Sequence, residues 1–413
     1  MMEKVITFGC RLNIFESEVI KSSLEKANAK NVIVFNTCSV TKEAERQALK
    51  AIKKAKRENP DAKIIVTGCS AQINPEKYSI LDEVDLVLGN TEKFNSDNYK
   101  DEIKDKILVS DIMEVKETAN HLVTSFGEKT RAFIQIQNGC NHRCTFCQIP
   151  YARGNSRSVP IGEIVSQSNT LIEKGYKEIV LTGVDITDYG LDLPGKPTLG
   201  DMMQRMLNLL PNLERLRLSS IDVAEIDNTL LKLILHEKRV MPHFHISLQS
   251  GDNMILKRMK RRHTRNQVID FCNLVRQHRE DAAFGADIIA GFPTETDEMF
   301  INSLNLVKEA KLQYLHVFPY SEREGTPAAR MPQVEVKLRK ERTKVLIKQG
   351  NIELAAFQKQ FLGKTVKVLV EKNNIGVMEN FLKVHISDNI EQNTVVNVHV
   401  SDYVDEKLIG NIA

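Results

Sequence analysis

The chain has 413 residues, 42% of them hydrophobic and 27% charged, with a formal net charge of +3, no tryptophan and seven cysteines. That balance excludes a disordered or low-complexity protein, and it is too weakly basic to demand a nucleic-acid partner on charge alone. At about 150 residues per domain the length predicts two to three domains. An odd cysteine count without an apolar leader predicts reduced thiols used for metal or catalysis in a cytoplasmic protein with no membrane span.

Over residues 1–125, β-rich runs alternate with helical stretches: KVITFGC, NVIVFNTC, KIIVTGC and VDLVLGN. Such alternation predicts βαβ units and a parallel sheet. Three of these runs end in cysteine, at Cys10, Cys38 and Cys69. Consecutive parallel strands put their carboxyl ends on one edge, where open α/β sheets bind ligands, so thiols far apart in sequence become neighbours. The alternatives are a metal-holding set or three small residues buried at strand ends. A polar, charge-rich stretch at 96–130 reads as a linker.

Residues 126–360 form a second alternating block. AFIQIQ, EIVLTGVD, RLRLSSID, HFHISLQS, AFGADIIAGFP and LQYLHVFPY are each followed by a helical segment, six β/α units that predict three-quarters of a (β/α) barrel. In such barrels the chemistry sits on loops after the carboxyl ends of the strands. The first of these loops carries NGCNHRCTFCQIPYARG, with Cys140, Cys144 and Cys147. Structural zinc is closed by four protein ligands, so three thiols either borrow a distant ligand or leave a position open. Gly183, Gln249, Asp287 and Tyr320 fall at or near the ends of later strands and are candidate cofactor or substrate contacts. Gly183 reads equally as a turn glycine, and Phe146 as a stacking group or a loop anchor. Cys272, on the apolar face of an amphipathic stretch, reads as core.

A helical connector at 334–361 leads to residues 361–413, where TVKVLVE, FLKVHIS and TVVNVHVSDY predict a small β-barrel. Two runs lack acids: Asn253 to Gln267 carries Lys257, Arg258, Lys260, Arg261, Arg262 and Arg265, and Lys129 to Gly162 carries Lys129, Arg131, Arg143, Arg153 and Arg157. They are phosphate-binding faces or simply solvated ones. Residues 362–413 hold five Lys/Arg against seven Asp/Glu, an unexpected sign for an RNA clamp.

The spacing C-x3-C-x2-C, with Phe146 before the third cysteine, resembles the signature of radical S-adenosylmethionine enzymes. GCRLNIFESE, NTCSVT, TGCSAQ, SLQSG, DIIAGFPTET and FPYSEREGTPAA resemble, in order, the blocks of their methylthiotransferase branch. CRLNIFES is most similar to the members acting on N6-threonylcarbamoyladenosine beside the anticodon of tRNA. The resemblance implies an α/β protein of three parts: a methylthiotransferase domain (1–125), a radical core (126–360) and a β-barrel of the TRAM type (361–413). It implies two [4Fe-4S] clusters, one on Cys140, Cys144 and Cys147 with an iron left open for S-adenosylmethionine, the other on Cys10, Cys38 and Cys69 with an iron left open for sulfur. It further implies that one S-adenosylmethionine methylates that sulfur and another yields a 5′-deoxyadenosyl radical, because the C2–H bond of adenine is beyond side-chain acids and bases. An electron donor and a sulfur source are implied partners, together with the anticodon stem-loop. Arg11, Arg153 and Arg157 are candidates for the threonylcarbamoyl carboxylate, and Arg258, Arg261 and Arg262 for phosphates. An isopentenyladenosine or ribosomal-protein target, or a non-catalytic iron–sulfur sensor, remain the alternatives.

Overall fold

The computed structural model describes residues 4–100, 104–116, 126 and 130–413. Strands β1 (Lys4–Thr7), β2 (Val32–Thr37), β3 (Lys63–Gly68), β4 (Leu86–Leu88) and β5 (Ile107–Leu108) pair in that order, all parallel. The apolar run of β2 is buried along its whole length, as a strand covered on both faces requires. Helices α1 (Arg11–Lys26), α2 (Lys42–Glu58), α3 (Cys69–Ile73) and α4 (Pro75–Ser79) complete the layer. Thr41 caps α2, its hydroxyl accepting from the Ala44 N–H at 3.1 Å. The stretch expected to be a linker contributes β5 to this sheet, because Ile107 and Leu108 pair with Val87 and Leu88 despite their polar flanks. Residues 117–125 and 127–129, which include the expected domain boundary and Lys129, lie outside the described residues.

The second block contains β6 (Arg131–Gln135), β7 (Gln137–Asn138), α5 (Ile149–Arg153), β8 (Arg157–Ser158), α6 (Ile161–Glu173), β9 (Glu178–Thr182), α7 (Leu199–Leu209) and β10 (Arg215–Leu218). It continues with α8 (Asn228–His236), β11 (His243–Gln249), α9 (Asn253–Met259), α10 (Arg265–His278), β12 (Ala283–Ala290), α11 (Asp297–Glu309) and β13 (Tyr314–Pro319). Six of these strands form two parallel sheets, β10-β9-β6 and β11-β12-β13, joined by bridges at Leu216/Val240 and Ile221/Ile246. β6 and β13 do not pair, so the barrel is open along one side. Leu216, Leu218, Ile179, Leu181, Phe244, Ile246, Ala286 and Ile288 pack into the main hydrophobic core. The two-residue period then turns Glu178, Arg215, Arg217, His243, His245 and Asp287 into the lumen. Helix α1 packs on β6, and its Phe15 and Val19 join the barrel core.

Helix α12 (Val336–Lys359) leads to a closed barrel of β14 (Thr365–Glu371), β15 (Ile375–Met378), β16 (Lys383–Ile386), β17 (Val395–Val404) and β18 (Lys407–Ile412). It plugs the lumen at the amino ends of the strands. Arg215 donates to the carbonyls of Val377 (3.1 Å) and Lys367 (3.2 Å), Arg131 pairs with Glu371 at 2.9 Å, and the Arg217 guanidinium lies over the Phe381 ring. The acidic sign of this unit therefore has a physical use: Glu371 faces an arginine of the larger barrel.

Candidate active site

Cys10 caps α1, Cys38 follows β2 and Cys69 opens α3, so all three stand at the carboxyl edge of the first sheet. Gly9, at φ +95°, lets the loops close: a Cβ there would lie 2.9 Å from the Cys38 Sγ. Burial pushes the Cys38 thiol up to about 12, and Cys69 and Cys10 add to the rise, while the Val40 N–H at 3.5 Å works against it. Cys69 is raised by burial and by Cys10 as well as Glu16. Buried thiols such as Cys38 and Cys69 give up their protons readily to a metal, and an N–H aimed at sulfur suits an iron–sulfur ligand. No fourth cysteine joins them among the described residues, so the set fits a cluster with one open iron.

The second triad occupies the loop between β7 and α5. Burial, then Asp185, push the Cys140 thiol up, with Cys147 and Cys144 adding to it. Cys147 is pushed up to about 12 by burial, and both Cys144 and, from the other domain, Cys69 contribute. The Ile149 N–H points at the Cys147 Sγ from 3.4 Å, and the Arg261 Nη1 lies 3.5 Å from the Cys144 Sγ. These three also fit a cluster with an open position, and α3, which opens with Cys69, packs on α5, which begins two residues after Cys147, so the two triads meet at the mouth of the barrel.

A buried charge network locks the two sheets in this relation. Arg153, 2% exposed, donates to Glu16 (2.7 and 3.1 Å), to Asn13 (2.6 Å) and to Asn138 (3.1 Å), while the Lys93 Nζ reaches Glu16 and Asn90 at 2.7 Å. Two cations meet one carboxylate here, and the Cys69 and Cys10 thiols help hold the Arg153 charge. The surplus positive charge matches an anionic set of thiolates.

Three carboxylates ring this second cysteine loop. Asp185 lies 3.6 Å from the Cys140 Sγ, and the His142 Nε2 lies 2.9 Å from Asp185 and 3.1 Å from Glu225. Hydrogen bonding to Asp185 and Glu225 raises the His142 imidazole to about 10. Asp222 holds Arg261 at 2.7 Å and His263 at 3.0 Å. Deeper in the lumen, the Asp287 Oδ1 lies 3.1 Å from the His245 Nε2 and 3.2 Å from the His316 Nδ1. Burial raises the Asp287 carboxyl, but the two imidazoles outweigh it and hold it well below the usual carboxylate range.

Several sequence expectations change on this geometry. Arg153 and Arg157 are buried, the one spent on Glu16 and the other donating to the carbonyls of Arg153 (2.9 Å) and Val115 (3.2 Å), so neither faces a substrate carboxylate. At Gly183 a Cβ would sit 2.8 Å from the Gln137 carbonyl, so packing alone demands the glycine. Half-buried Phe146 meets the Phe292 ring edge-on at 6.3 Å, and Phe292 meets Tyr320, which anchors the loop and leaves Tyr320 only 5% exposed. Asp287 serves its two histidines. Gln249 ends β11 beside a register shift with φ +71°, a left-handed backbone unusual for a side chain and typical of functional sites.

The acid-free run finds its acids elsewhere in the fold. Arg261 pairs with Asp222, Arg262 with Glu225 and Arg265 with Glu309, while Arg258 bonds to Thr294 at 2.8 Å. Asp185, Glu225, Glu16, Lys93, His245 and His316 escaped the sequence reading. The signal for Asp185 was its place in LTGVD after a barrel strand, and for the lumen it was charge inside strands such as RLRL.

The partial barrel and its three-cysteine loop define a radical S-adenosylmethionine protein. A family model described as Radical SAM superfamily matches residues 134–307, and one described as Uncharacterized protein family UPF0004 matches residues 3–89. The structure of TsrM, a radical S-adenosylmethionine methyltransferase from Kitasatospora setae, superposes with a TM-score of 0.56 at 13% identity, covering 79% of this chain and 76% of that one, a likeness of fold alone. The chain is 61% identical over 387 residues to the threonylcarbamoyladenosine tRNA methylthiotransferase MtaB of Rickettsia prowazekii, covering 94% of this chain and 91% of that protein. It is 38% identical to the MtaB of Aquifex aeolicus, covering 92% and 95%. With the tRNA-2-methylthio-N(6)-dimethylallyladenosine synthase of Thermoanaerobacter pseudethanolicus the identity is 33%, covering 98% and 88%. The chain belongs to the family of the threonylcarbamoyladenosine tRNA methylthiotransferases.

Proposed function

We propose that this chain converts N6-threonylcarbamoyladenosine beside the anticodon of tRNA to its 2-methylthio derivative. The observation that carries the reading is the meeting of two three-cysteine sites at the barrel mouth, in a chain with relatives of that activity along nearly its whole length. Cys140, Cys144 and Cys147 would hold one [4Fe-4S] cluster and Cys10, Cys38 and Cys69 the other. When bound, the clusters and S-adenosylmethionine supply the reductive cleavage and the methylated sulfur that replacing the C2–H of adenine requires.

The protein's own residues position and shield. Asp185 presents a carboxylate beside Cys140 for the cofactor's ammonium, and Arg261 places positive charge on Cys144. Gln249 is the strand-end residue kept as a cofactor contact. The first sheet and its helices would cover the mouth of the core and keep water from the reacting carbon, while the small barrel closes the far end. No described helix is long and apolar enough to cross a membrane. We infer a cytoplasmic enzyme that meets the tRNA anticodon stem-loop, an electron donor and a sulfur source.

The test is reconstituted enzyme with matched tRNAs carrying threonylcarbamoyl, isopentenyl or no modification, read by nucleoside mass spectrometry. Methylthiolation of the first is expected. Preference for the isopentenyl tRNA would move the chain to the sister activity.

A further inference from the structure

The lumen holds more cations than its acids can answer. Arg131 is taken by Glu371 at 2.9 Å, and Arg217 by Glu178 at 2.7 and 3.2 Å. Asp287 serves His245 and His316 through one oxygen. Arg11, in the first turn of α1, lies within electrostatic reach of Arg131, Arg217, Glu178 and Asp287. It is half-buried, and among the described residues it makes neither a hydrogen bond nor an ion pair.

A second group without a partner lies on β6, against which α1 packs. Gln135, two and four residues along β6 from Phe133 and Arg131 and on their face, is 6% exposed, and its Oε1 has no hydrogen-bond partner among the described residues. A buried acceptor without a donor among the described residues is open to one that arrives with a ligand. The lumen thus offers a forked cation and an acceptor, which match a substituent carrying a carboxylate and amide N–H groups. Arg11 follows Cys10 directly, so it lies close to where sulfur would be delivered. The N6 substituent sits on the same six-membered ring as C2, and a group bound there reaches a residue adjoining the cluster. Phosphates, which stay outside on the RNA backbone, do not reach the inside of a barrel.

We propose that the Arg11 guanidinium receives the carboxylate of the N6 substituent inside the barrel and thereby selects threonylcarbamoyladenosine over uncharged N6 groups. The proposal rests on the threonylcarbamoyl reading of the substrate. A bidentate arginine–carboxylate contact in a half-buried site is expected to be worth about tenfold to a hundredfold in kcat/KM.

The experiment uses the reconstituted full chain and two anticodon stem-loops, one with N6-threonylcarbamoyladenosine and one with the same group as its threonine amide. Wild type should favour the acid by about tenfold to a hundredfold. Arg11→Gln should bring that ratio near one by losing the acid substrate while the amide rate holds, and Arg11→Lys should recover part of it. Iron content and the spectra of both clusters should match wild type. Equal rates on acid and amide in the wild type would overturn the proposal without recourse to any variant, as would an unchanged ratio in Arg11→Gln. Wild type inactive on the threonylcarbamoyl RNA but active on dimethylallyl RNA would sink the substrate reading and this proposal together, a result distinct from the first two.

Discussion

Glu16 on α1 and Arg153 at the end of α5 are 137 residues apart in sequence and meet in a two-point ion pair of 2.7 and 3.1 Å, both side chains buried. Lys93 joins them at 2.7 Å. Because α1 begins one residue after Cys10 and α5 follows Cys147, this pair sets the distance between the two cysteine triads. Glu16→Gln should cost about 3–5 kcal/mol, since it strands two cations in the interior. Thermal unfolding of the purified chain checks this, with loss of methylthiolated product exceeding loss of S-adenosylmethionine cleavage.

The same carboxylate predicts a pH dependence. Burial raises the Glu16 carboxyl, but Arg153 and Lys93 outweigh burial and hold it at about 2, against 4.5 for a free glutamate. A depressed folded value means that the contribution is complete above about 4.5 and fades as pH falls towards 2. Melting temperatures measured from pH 6 to pH 3 should fall more steeply for wild type than for Glu16→Gln. Parallel curves would remove Glu16 from the account.

The two triads divide the labour. Ala at Cys140, Cys144 or Cys147 should abolish both 5′-deoxyadenosine formation and product, whereas Ala at Cys10, Cys38 or Cys69 should keep the first and lose the second. A Cys38→Ala protein that still methylthiolated tRNA normally would end the two-site reading.

Arg261 tunes the radical site. Its guanidinium lies 3.5 Å from the Cys144 Sγ and is fixed by Asp222 at 2.7 Å. Removing a cation and its N–H from a cluster ligand disfavours the reduced form, so Arg261→Gln should lower the reduction potential of that cluster. Redox titration followed by electron paramagnetic resonance reads the shift, and an unchanged potential counts against this role for Arg261.

RNA affinity should follow the exposed lysines and not the paired arginines. Lys257 and Lys260 are exposed, with no ion pair among the described residues, while Arg261 and Arg262 already have carboxylates. Lys257→Ala with Lys260→Ala should reduce the salt slope of tRNA binding by about 0.7 to 0.9 for each phosphate no longer neutralised. Arg262→Ala should change it little, because the charge removed was already answered by Glu225.

Much of this protein follows from the sequence by itself. Three strands each ending in cysteine, six β/α units and three terminal β runs are patterns of near neighbours in the chain, and local periodicity fixes them wherever the strands finally pack. Parallel pairing then puts Cys10, Cys38 and Cys69 on one edge, a consequence of topology that needs no side-chain detail. Which acid meets which base is a different kind of question, because it depends on pairings between residues tens to hundreds of positions apart. The run from Asn253 to Gln267 contains no acid, yet the fold brings it Asp222, Glu225 and Glu309. Arg153 looked free in YARG and is buried against Glu16, whereas Arg11 looked no different and makes no hydrogen bond or ion pair among the described residues. Only the tertiary structure decided these, since burial makes an unpaired charge costly and the fold alone determines which charges are left unpaired.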